Sequence, residues 1–162
     1  MLFRSKNLKP QFVVHTIAHP SVDFCENNRE ISNKLHVETT RNIVDVCAEQ
    51  NSKLIYLSTD AVFDGKQSCK YQETDEPNPV NYYGKTKLMA EHLVSNSPKN
   101  VVLRTAVIYG WHKRSRFTNW IIESLREKKS VDPFIDQYNT PTLVDDLASA
   151  IIKIIKIGRA HV

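Results

Sequence analysis

The chain has 162 residues, 41% of them hydrophobic and 25% charged, which is enough apolar material to bury one core. Its 22 lysines and arginines against 18 acids leave a net charge of +4, and the basic runs Lys113 to Arg116 and Lys128-Lys129 are short, so the balance argues against a nucleic-acid partner. Cys25, Cys47 and Cys69 are widely spaced and lack a Cys-x-x-Cys pair, which suggests neither a disulfide framework nor a metal site and points to the reducing cytoplasm. No stretch approaches the roughly 20 apolar residues of a membrane span, and no signal-peptide pattern appears.

Taken in chain order, strands and helices alternate. Gln11 to Ile17 is apolar and β-branched and reads as a strand, followed by the turn Ala18-His19-Pro20. Ile31 to Glu49, with apolar Leu35, Ile43, Val44 and Val46, reads as a helix. The apolar strand Lys53 to Leu57 ends in the polar Ser58-Thr59-Asp60, and a polar loop then runs from about Asp60 to Pro79. A helix carrying Tyr83 extends to about Ser95, before strand Asn100 to Ile108 and helix Phe117 to Lys128. A short strand near Val131 to Ile135 and a helix from Leu143 to Ile155 complete the series, with Thr142 and Asp145 spaced as a capping box. Alternation of this kind predicts an α/β fold with a doubly wound parallel sheet and right-handed crossovers.

Chemistry concentrates at two places. Tyr83 and Lys87 are four residues apart, so on a helix they share a face, and an ammonium there can favour the phenolate of a tyrosine whose usual pKa is about 10. Such a tyrosine can exchange a proton with a substrate oxygen. Thr59 stands at the carboxyl end of a buried strand, the edge where open α/β sheets bind ligands, with a hydroxyl that can donate or accept.

Thr59, Tyr83 and Lys87 in this order resemble the extended short-chain dehydrogenase/reductase superfamily. The longer string from Ser58 to Gly65, with Tyr71, Glu73, Pro77, Pro79, Tyr83 to Lys87 and Glu91, resembles the dTDP-4-dehydrorhamnose reductase group within it. The resemblance implies a Rossmann-like NAD(P)-binding domain and hydride transfer from NADPH or NADH to the C4 ketone of a nucleotide-linked 4-keto-6-deoxy sugar. It implies that Tyr83 donates the proton, Lys87 holds the nicotinamide ribose and lowers the tyrosine pKa, and Thr59 binds the substrate oxygen. Cofactor contacts would come from Ala18, His19, Ser58, Tyr83, Lys87 and Thr105, substrate contacts from Val22, Asp23, Asp60, Trp111 and Gln137, with no metal. Plainer readings stand beside these: His19 as a loop residue, Trp111 and Trp120 as packing residues, His15 and His36 as structural. Ala61 replaces the tyrosine usual in the group, which leaves the sugar open, and the glutamate that dehydratase relatives place after the aspartate is absent. A nucleotide-sugar epimerase and a non-catalytic regulatory subunit resembling that of methionine adenosyltransferase are the alternatives.

Both ends resemble translations of a common sequencing adapter, so residues 1–5 and 157–162 are expected scars and the remainder an internal fragment. Residues 6–110 then form the later part of the cofactor domain, and 111–156 part of a substrate-binding region. The glycines are Gly65, Gly84, Gly110 and Gly158, none in a phosphate-binding turn, so the first strands are expected to lie outside the chain, together with the NAD or NADP determinant. Gln11 to Ile17 is then a sheet-edge strand, and micromolar NADPH binding by the isolated chain is not expected. A homodimer of the intact parent is left open.

Overall fold

The computed structural model describes residues 8–112, 116–131 and 138–159. Four strands in the order β1-β2-β3-β4 form a parallel sheet: Phe12–His15, Lys53–Thr59, Val101–Tyr109 and Pro141–Leu143. β1 occupies one edge, paired in register with β2 from Phe12 opposite Lys53 to His15 opposite Tyr56. The described residues divide within β3, after Arg104, into two compact units.

In the first unit a short helix α1, Val22–Asn27, follows the turn after β1. It has too few apolar residues to show a period, and Ser21 starts it by accepting the Phe24 N–H at 3.2 Å. The helix expected from Ile31 begins earlier, as α2 (Arg29–Asn33), passes through a π-helical turn at Lys34–Glu38, and continues as α3, Thr39–Glu49. β2 runs two residues further than its apolar run, so Ser58 and Thr59 are strand residues, and a 3₁₀ turn, Asp60–Val62, follows. The helix α4, Tyr82–Ser95, packs on this strand. Cys47, Leu54, Tyr56, Ala90 and Val94 form the core between α3, β2 and α4, with Val13, Ile43, Val44 and Val102 against it. Each such side chain removed from water contributes about 1.5–3 kcal/mol for the larger aliphatics.

The loop between Phe63 and Asn81 is organised rather than merely polar. Asp64 accepts from the Lys66 N–H, the Tyr71 hydroxyl at 2.7 Å and Asn78 Nδ2 at 3.0 Å, and Gly65 takes the left-handed φ of 73° that the turn needs. Phe63 stacks on Tyr71 at 4.3 Å.

In the second unit the end of β3 pairs with β4, Ala106 opposite Pro141 and Tyr109 opposite Leu143, with an irregularity between Ala106 and Ile108. α5 covers Arg116–Arg126 and α6 covers Val144–Arg159. The strand expected near Val131 to Ile135 lies, apart from Val131, outside the described residues; the strand seen beside β3 is Pro141–Leu143, and one expectation fails here. A proline at the first position of an edge strand needs no N–H partner, which is why a run that reads as a turn can form a strand. Thr142, expected to cap the last helix, pairs with Ile108 in that strand, and the helix starts at Val144 and runs on past Ile155.

Candidate active site

The site is built where β2 ends against the first turn of α4. Asn81 caps α4 by accepting the Gly84 N–H at 2.8 Å, and Tyr82 N–H donates to Glu26 of α1 at 3.0 Å. Gly84 lets the helix approach the strand end: a Cβ there would stand 2.2 Å from the Ala61 carbonyl oxygen and 2.9 Å from Pro79 Cβ. No side chain fits that gap, so the glycine sets how near Tyr83 comes to Thr59.

Thr59 neighbours Tyr83, and its hydroxyl favours the phenolate form. The Thr59 hydroxyl is also within 3.1 Å of the Asp60 carboxylate and accepts the Ala61 N–H at 3.2 Å. Lys87, 3% exposed, donates to the Leu57 carbonyl at 2.6 Å and stands 4.2 Å from the centre of the Tyr56 ring. Burial lowers its pKa to about 8, opposed by Glu91 one helical turn on. Glu91 itself is held by Arg104, whose Nη2 and Nε donate to its carboxylate at 2.7 and 3.1 Å. Tyr82 faces elsewhere, with the Arg29 guanidinium 5.1 Å from its ring centre.

One electrostatic expectation is reversed. Burial raises the Tyr83 pKa above its usual value, and the neighbouring Thr59 hydroxyl only partly offsets this. The phenolate would be desolvated, whereas the Lys87 charge is directed at the Leu57 carbonyl and the Tyr56 face. The neutral phenol, the form able to give up a proton, is therefore the resting state near pH 7.

Of the other expected site residues, Ser58 is buried at the end of β2, and Asp60 is exposed on the turn beyond it. Ala18 and His19 are half-buried in the turn after β1, with His19 stacked on Phe24 at 3.9 Å. Val22 and Asp23 are exposed in the first turn of α1. In the second unit Thr105 is half-buried on β3, and Trp111 is 89% exposed, so it is not a packing residue. Gln137 lies outside the described residues.

His15 and His36, read from the sequence as structural, form a buried histidine pair. His15 and His36 are 2% and 1% exposed, and burial, then the charge of Lys87, brings each from 6.5 to about 4. A polar residue between Leu35 and Val37, with Thr40 four residues on, was the available signal.

The RmlD substrate binding domain matches residues 3–161. The dTDP-4-dehydrorhamnose reductase of Salmonella typhimurium is 32% identical over 154 residues, covering 94% of this chain and 51% of that protein. Methionine adenosyltransferase 2 subunit beta of Bos taurus is 36% identical over 147 residues, covering 88% and 44%. The crystal structure of a Bacillus anthracis dTDP-4-dehydrorhamnose reductase in complex with NADP superposes with a TM-score of 0.90 at 29% identity, covering 96% of this chain and 55% of that one. The chain thus spans about half the length of the curated relatives it matches. With a match running through nearly all of its length, on a parallel α/β sheet that its structural neighbour shares, the chain belongs to the RmlD substrate binding domain family.

Proposed function

We propose that the protein carrying this chain reduces the C4 ketone of dTDP-4-dehydrorhamnose or a similar 4-keto-6-deoxy sugar nucleotide with NADPH or NADH. The observation that carries this reading is the neutral Tyr83 phenol next to Thr59, one helical turn from the buried ammonium of Lys87. The donor set fits the nicotinamide-ribose part of a dinucleotide, with an ammonium and a phenol at the carboxyl end of a parallel strand. No residue is assigned to the pyrophosphate, because none of the four glycines lies in a glycine-rich turn after a strand.

The bound nicotinamide supplies the hydride. Tyr83 gives its proton to the developing alkoxide, a role worth about 10²–10⁴-fold, and its burial keeps it protonated for that step. Thr59 hydrogen-bonds the same oxygen and orients the ketone. Lys87 keeps one N–H on the Leu57 carbonyl, which fixes its remaining donors toward a ribose hydroxyl. Ala18, His19, Ser58 and Thr105 are proposed cofactor contacts, and Val22, Asp23, Asp60, Trp111 and Gln137 proposed substrate contacts.

Among the described residues no helix is long and apolar enough to cross a membrane. Free thiols at Cys25, Cys47 and Cys69 support a cytoplasmic setting, the near balance of charge argues against a nucleic-acid partner, and a homodimer stays open. The likeness to methionine adenosyltransferase 2 subunit beta favours one second reading, a non-catalytic subunit with the same motifs.

The deciding assay is NADPH oxidation by the full gene product carrying this chain, with dTDP-4-dehydrorhamnose as substrate. Tyr83→Phe is expected to lose at least about 100-fold in kcat while still binding cofactor, and Tyr82→Phe to stay near wild type. Equal damage from both would show that the wrong tyrosine has been assigned, and cofactor binding without turnover in the wild type would favour the regulatory reading.

A further inference from the structure

A buried relay of hydrogen bonds ends on the helix that carries Tyr83 and Lys87, and the chemistry above does not use it. His36 Nε2 accepts the backbone N–H of His19 at 2.9 Å, so this nitrogen bears no proton. Nδ1 of the neutral ring therefore holds the proton and donates it to Thr86 Oγ1 at 2.7 Å. Thr86 in turn donates its hydroxyl to the Tyr83 carbonyl at 2.9 Å, so its oxygen is left to accept from His36. The two constraints, from opposite sides of the ring, select the same tautomer. His36 and Thr86 are 1% and 0% exposed, and the ring stands edge-on to Tyr83 with centroids 5.7 Å apart.

A second relay of the same form lies behind the first. Ile17 N–H donates to His15 Nδ1 at 3.3 Å, His15 Nε2 donates to Thr40 Oγ1 at 2.9 Å, and Thr40 donates to the His36 carbonyl. His36 also occupies the middle of the π-helical turn Lys34–Glu38, a form that is rare and frequently met at functional sites.

We propose that His36 is a positioning residue, a rigid imidazole spacer that sets the separation between the turn at Ile17 to His19 and the first turn of α4. The proposal rests on the hydride-transfer reading, in which that turn faces the cofactor and α4 presents the proton donor. A ring with two nitrogens at fixed separation holds both backbones at once. Glutamine reproduces only the Nε2 position and asparagine only the Nδ1 position, so each retains one end of the spacer.

The test uses both variants in the full gene product, with the wild-type ring examined by ¹⁵N NMR. His36→Gln, which still accepts from His19 but releases Thr86, is expected to lower kcat about 10–100-fold with cofactor Kd within about threefold. His36→Asn, which keeps Thr86 but releases His19, is expected to weaken cofactor Kd about tenfold with a smaller change in kcat. The wild-type imidazole is expected as the neutral Nδ1–H tautomer, with the His19 amide protected from exchange. An Nε2–H tautomer, an unprotected His19 amide, equal changes in both constants for both variants, or loss of fold in both would each overturn the positioning role. Wild-type protein that shows the Nδ1–H tautomer but never oxidises NADPH would instead overturn the hydride-transfer reading.

Discussion

Acidification should unfold this protein through two specific side chains. His15 and His36 are neutral in the fold, with pKa values of about 4 against 6.5 in the open, because burial and then Lys87 disfavour their charged forms. The unfolded chain thus binds more protons than the folded one between about pH 6.5 and 4, and stability is complete above that window and falls as pH falls through it. At about 1.36 kcal/mol per pKa unit, each ring withdraws about 3 kcal/mol over the whole window, of which about 2 has gone by about pH 5. Both rings together withdraw about 4 kcal/mol at that pH, a large part of a typical folding free energy. Urea unfolding followed by circular dichroism at about pH 7.5 and about pH 5 measures this. With a slope near 2 kcal/mol per M the midpoint should drop by about 2 M in the wild type and by about half as much in His36→Asn. An unchanged midpoint, or the full wild-type drop in the variant, would refute the assignment of the acid sensitivity to these rings.

Three further outcomes test the frame around Tyr83. Gly84→Ala should destabilise by about 2–3 kcal/mol despite a helix-propensity gain of about 1, because its Cβ meets the Ala61 carbonyl and Pro79 and neither can swing away. Thermal unfolding should show this as a loss of about 5–10 °C, and a gain in Tm would contradict it. Glu91→Gln should cost about 2–3 kcal/mol by urea titration, less than a fully buried pair, since the Arg104 side chain is 26% exposed. Asn81→Ala should cost about 1 kcal/mol while Asn81→Asp is nearly neutral, the difference being the oxygen that accepts from Gly84 N–H.

What the sequence determined by itself is local. Apolar runs and β-branched residues located β1, β2 and β3, because a strand's period and its polar carboxyl end are written within a few residues. The four-residue spacing of Tyr83 and Lys87 put them on one helical face, and Thr59 stood at a strand end on the same logic. Only the tertiary structure decided the rest. The sign of the Tyr83 pKa shift turned on burial, which no spacing reports. The need for glycine at Gly84 came from the Ala61 carbonyl, 23 positions earlier in the chain and brought near by the end of β2. His36 read as structural but without partners, because these, His19 and Thr86, lie 17 and 50 residues away. Hydrogen bonds between distant segments leave no periodic trace in a sequence, since each partner is locally compatible with many folds, and it is packing that decides which polar groups are buried and must find one another.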